Sequence, residues 1–134
     1  MINPWHAYNF IGFAWAGRKP AVEVVRGSAL GFKLEWRGRR AAKGFDPHAA
    51  IIRVMFRGDG SAEFARQVLT VMRLRPGEAC SVAFVDMTAN ARPDALARDA
   101  ADRLAPGFAC GRDRPRAVGT ASRWTSELVA ADRP

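Results

Sequence analysis

Between Leu30 and Trp36 the chain alternates, with Leu30, Phe32, Leu34 and Trp36 separated by Gly31, Lys33 and Glu35. A period of two puts four large apolar groups on one face and the charges on the other, which predicts a strand over 29–36. Aromatic and apolar residues predict further strands over 8–15 (YNFIGFAW) and 21–25 (AVEVV). Turn signals at 17–20 (GRKP) and 26–28 (RGS) separate these first three, which suggests an antiparallel meander. A fourth strand is expected over 50–57 (AIIRVMFR), with Ile52, Val54 and Phe56 on one face and Arg53 and Arg57 on the other. Residues 79–86 (ACSVAFVD) are apolar on both faces, as in a covered central strand.

Helical spacing enters after Gly58-Asp59-Gly60, where Ser61 suits an N-cap and Phe64, Val68, Val71 and Met72 recur on one stripe. Pro76-Gly77 would stop that helix. A second helix is expected from Pro93 to Ala105, buried through Leu96, Ala100 and Leu104. Its acids precede arginines by four residues, Asp94 before Arg98 and Asp99 before Arg103, which is the dress of an exposed helix face rather than a metal site. A short terminal helix over 122–131 (SRWTSELVAA) can dock through Trp124 and Leu128. The pattern predicts an α+β fold: an N-terminal antiparallel meander followed by β-α-β-α, making a two-layer mixed sheet with helices on one face. Residues 1–106 read as one domain and 107–134 as an Arg/Gly/Pro-rich tail ending in the docking helix.

Composition adds an ordinary globular balance, 49% hydrophobic and 25% charged in 134 residues, so the body of the chain is not expected to be disordered. The first residues, MINPWHAYNF, carry no cationic start, so no secretory signal is expected, and no run approaches the roughly 18 apolar residues of a membrane span. Two cysteines are too few for a disulfide framework. Cys80, inside an apolar run, reads as a small hydrophobe, and the chain as reduced and cytoplasmic.

Charge changes the picture more. The net charge is +8, and 18 of the 21 cations are arginines. Such a composition follows from GC-rich coding as readily as from phosphate binding. Its distribution is not even: residues 1–75 hold 13 Lys/Arg against 5 Asp/Glu, whereas 76–134 hold 8 of each. The densest stretch is WRGRRAAKGF over 36–45. Arg37, Arg39, Arg40 and Lys43 supply cations for phosphates, and Trp36 and Phe45 supply rings for unpaired bases. The plainer account is a well-solvated segment between strands, with Trp36 in the core. Arg53 and Arg57 would extend a cationic sheet face if the fold brings them alongside.

The remaining candidates are weaker. Gly58-Asp59-Gly60-Ser61 matches no phosphate-loop pattern, and Asp59 would repel an anion. Asp86 closes the buried strand, where α/β proteins often place functional acids, but it can equally cap its own turn. His6 and His48 are not at metal-ligand spacing from Cys80 or Cys110. A Cys–His nucleophile pair, whose members meet in space, has no motif to support it. No catalytic residue, metal or cofactor is expected, and the chemistry leans away from an enzyme.

Two functions follow as expectations. The first is a non-enzymatic binding protein that engages an anionic partner, above all nucleic acid, through Arg37, Arg39, Arg40, Lys43, Arg53, Arg57 and Trp36. The second is an accessory subunit or homo-oligomer, joined through the aromatic opening strand by Trp5, Tyr8, Phe10, Phe13 and Trp15. A small nuclease would be a third, without a motif. No membrane partner is expected.

Overall fold

The computed structural model describes residues 9–12, 21–24, 28–42, 44–56, 66–75 and 78–131. Two short strands, β1 (Asn9–Gly12) and β2 (Ala21–Val24), pair antiparallel. They are followed by β3 (Ser28–Ala41), β4 (Gly44–Phe56), β5 (Arg66–Arg75) and β6 (Glu78–Asp86). Helix α1 (Pro93–Arg103), strand β7 (Arg116–Ala117) and helix α2 (Arg123–Ala131) complete the order. Strands β3-β4-β5-β6 form an antiparallel meander, and β7 adds to β6 in parallel, giving a five-stranded mixed sheet. This is an α+β fold with helices packed on the sheet. The β1–β2 pair forms a separate sheet; β1 approaches β3 and β2 approaches β6.

The meander is therefore made by β3 to β6 rather than by the first three strands. The expected helix over 61–73 is the largest correction: residues 66–73 lie in β5, and 61–65 fall outside the described residues. Alternate positions explain it. Val68, Met72 and Leu74 enter one core cluster while Leu69 and Val71 enter the other. A run that is apolar on both faces satisfies helical and strand periodicity together, and its β-branched Val68, Thr70 and Val71 favour the strand. Pro76-Gly77, expected to stop that helix, lies outside the described residues; Arg75 at the end of β5 pairs with Glu78 at the start of β6.

The helices also divide between faces instead of sharing one. Helix α1 lays Ala97, Ala100 and Ala101 on Ala49, Ile51, Leu69, Val71, Ala83 and Val85. Small residues let it approach the sheet closely, while the expected Leu96 and Leu104 flank the contact, half-buried. Helix α2 docks on the opposite face through Leu128, with Trp124 and Val129 beside Ala50, Ile52, Val54, Val68, Met72 and Phe84.

Residues 107–131 are held against the body at several points. Phe108 is buried, β7 pairs with β6, and Cys110 is disulfide-bonded to Cys80. That bond corrects the expectation of reduced, unpaired cysteines and removes their support for a cytoplasmic location. Among the described residues, no helix is long and apolar enough to cross a membrane.

Candidate nucleic-acid interface

The basic stretch is not a loop between strands. Strand β3 continues through it to Ala41, pairing Gly38 with Pro47, Arg39 with Asp46, Arg40 with Phe45 and Ala41 with Gly44. Ala42 lies in the turn that follows, and Gly44 supplies the positive φ of 111° that a tight hairpin needs. The ladder between β4 and β5 stops at Ala49 and Arg73. The final four β3–β4 pairs thus extend beyond the β4–β5 ladder as a two-stranded arm, roughly 13 Å long at strand rise. Pro47 is tolerated there because its outer side has no ladder partner to satisfy.

Alternation divides the arm into two faces. Trp36, Gly38 and Arg40 of β3 share one with Phe45 and Pro47; Arg37 and Arg39 share the other with Asp46. Trp36 is 45% exposed and Phe45 52%, the large apolar side chains that the core leaves out among the described residues. Trp36 keeps the parity of Leu34, which packs against the core, but lies beyond that cover. Gly38 is required by close approach. A β-carbon there would strike the Asp46 carbonyl oxygen and come within 2.6 Å of Pro47 Cα and 2.8 Å of Phe45 Cζ.

The cations differ in their surroundings. Arg37 Nη2 donates to Asp102 Oδ2 at 2.6 Å and Nε to Oδ1 at 3.3 Å, with Glu35 3.6 Å away. Hydrogen bonding to Asp102 raises the Arg37 pKa, and reciprocally Arg37 lowers that of Asp102. Arg98 Nε and Nη2 each donate to Glu35 at 2.9 Å, and that contact lowers the Glu35 pKa. His48 Nε2 lies 3.2 Å from Asp102 Oδ1. These contacts brace the root of the arm against α1.

Arg39 and Arg40 are exposed, and neither ion-pairs with a described residue. Arg53 is also exposed, but it lies seven positions along β4 from Asp46, roughly 23 Å from the arm pair at Arg39. Lys43 and Arg57 lie outside the described residues. So do Trp5, Tyr8, Phe13 and Trp15 of the second expectation, while Phe10 lies in β1. The structure thus brings Arg39, Arg40 and Phe45 onto one arm, with Trp36 and Arg37 at its root, and leaves Arg53 apart.

Two buried polar groups, Asp86 and Arg73, are engaged by hydrogen bonds within the fold. Asp86 is fully buried at the end of β6. Its Oδ1 accepts from Thr88 N, Thr88 Oγ1 and Ala89 N, and its Oδ2 from Ser122 Oγ at 2.6 Å and Thr125 Oγ1 at 2.7 Å. Burial alone would raise its pKa. The hydrogen bonds from Ser122, Thr125 and Thr88 outweigh burial and hold the carboxyl far below the usual range. The cap of its own turn is real, and the same carboxylate ties the start of α2 to the sheet. Asn90 strengthens the tie by donating to the Thr120 carbonyl and accepting from Thr120 N.

Arg73, which no pattern in the sequence singled out, is buried on the α1 side and donates to the Ala105 and Phe108 carbonyls. Carbonyls just past the end of α1 carry partial negative charge, which offsets the cost of that buried cation. Among the described residues, no group of His, Cys, Asp and Glu is placed to hold a metal ion. No protein-family model, curated protein or solved structure matches this chain.

Proposed function

We propose that this protein is a non-enzymatic nucleic-acid-binding domain whose contact is the β3–β4 arm. The observation that carries the proposal is the contrast along that arm. Arg37 is held by Asp102, whereas Arg39 and Arg40 are exposed at the projecting end and neither forms an ion pair with a described residue, Asp46 opposite Arg39 included. Adjacent strand residues point to opposite faces, so the two guanidiniums can reach phosphates on either side of the arm. The surplus of cations in residues 1–75 favours the approach of a polyanion.

Filter binding of a 20-nucleotide oligomer at rising salt tests this. Affinity should fall linearly on a log–log scale, and Arg39→Ala with Arg40→Ala together should flatten the slope by about 1.4 for a single strand. Absence of binding at 50 mM salt, or affinity indifferent to salt, overturns the assignment. A cytoplasmic location goes with a nucleic-acid partner in this proposal. Thiol trapping at lysis checks it, because a fully oxidised Cys80–Cys110 pair in cells would contradict that location.

A further inference from the structure

The arm carries a feature that phosphate binding does not need. Trp36 and Phe45 expose about half their surface on one face, and Arg40 shares that face opposite Phe45. Gly38 lies between Trp36 and Arg40 on β3, and its missing side chain lets the Phe45 ring lie over the backbone. Same-face positions on a strand repeat every 7 Å or so, so an indole, a phenyl ring and a guanidinium follow one another along the arm. A sheet edge kept soluble by charge alone would not place two large rings beside its cations.

Base faces in a duplex are stacked on each other and offer nothing to an aromatic side chain; unpaired bases do. A guanidinium next to the rings suits the phosphate that accompanies a stacked base. We propose that the Trp36–Phe45 face takes unpaired bases, so that the ligand is a single-stranded nucleic acid and not a duplex. This narrows the nucleic-acid reading above and rests on it. Arg40 contacts the backbone on the stacking face, and Arg39 supplies charge from the other side.

The test is fluorescence anisotropy with labelled 20-nucleotide DNA, RNA and the corresponding duplexes, in one buffer at one salt concentration. At least tenfold tighter binding of either single strand over its duplex supports the proposal. Trp36→Leu and Phe45→Leu keep apolar atoms on the arm and remove the rings. Each should weaken single-strand binding by about tenfold while leaving duplex binding within twofold. Arg39→Ala with Arg40→Ala should weaken both. Equal or tighter duplex binding overturns the proposal and leaves the nucleic-acid reading standing. Leucine variants that bind single strands like the parent, with unchanged far-ultraviolet spectra, do the same. No binding to any of the polymers overturns both. The comparison of strands within the unmodified protein needs no variant, so a misfolded substitution cannot hide the answer.

Discussion

Arg37 and Asp102 form a two-point ion pair between the edge strand β3 and helix α1, 65 residues apart in the chain. It gives the guanidinium a carboxylate partner before any ligand arrives. Both side chains are about one-third or more exposed, so solvent screening keeps the pair's contribution to about 0.5 kcal/mol. Urea denaturation of Arg37→Ala, Asp102→Ala and the double variant should return a coupling energy of that size. Arg37→Ala should also change oligonucleotide affinity less than Arg39→Ala does, because its charge is already compensated.

Gly38→Ala should open the arm. The added methyl meets the Asp46 carbonyl and Pro47 Cα, which are backbone atoms and cannot swing aside like a side chain. A cost of about 1–3 kcal/mol is expected, borne locally. Amide exchange over 38–47 should accelerate while β5 and β6 keep their protection; unchanged exchange in the arm would contradict the close approach.

Acid should weaken the protein through Asp86. Its pKa is lowered in the folded state, so its contribution is fully present above the unfolded value of about 3.9. The contribution is lost as pH falls below that value toward the lower folded one. Glu35 and Asp102, lowered by Arg98 and Arg37, act in the same direction. Asp86→Asn should cost about 2 kcal/mol at pH 7 by leaving donors mismatched, and should flatten the loss of stability between pH 4 and 2.5. Urea titrations at both ends of that window measure it.

Cys80 and Cys110 close a loop across a sequence separation of 30. Loop-closure entropy for that length corresponds to about 3–4 kcal/mol. Reduction with dithiothreitol, or Cys80→Ser with Cys110→Ser, should lower the thermal midpoint accordingly. The oligonucleotide contact, on β3 and β4 across β5 from Cys80, should survive below the new midpoint.

The sequence made some parts legible and hid others for physical reasons. Leu34 could be placed on a core face, and α1 and α2 could be located, because alternation and helical stripes report burial directly. The strand nature of 66–75 was hidden because both its faces are covered, which erases the period that would identify it. The arm was hidden for the opposite cause: Arg39, Arg40, Gly44, Asp46 and Pro47 bury little, and their pairing follows from the hairpin register instead of an apolar pattern. Arg37 and Arg39 look equivalent in the chain; only the return of α1 to the sheet puts Asp102 beside one of them. Arg73 carried no signal, since its acceptors are carbonyls that any residue could provide.

Asp86 emerges from the ribosome thirty-six residues ahead of Ser122, one of the two hydroxyls that grip its second oxygen. Until those hydroxyls arrive, drawing this carboxylate out of water would strand half its lone pairs. Completion of β6 therefore waits on the segment that carries Ser122 and Thr125. A fragment stopped before residue 122 should stay loosely collapsed, however complete its sheet looks on paper.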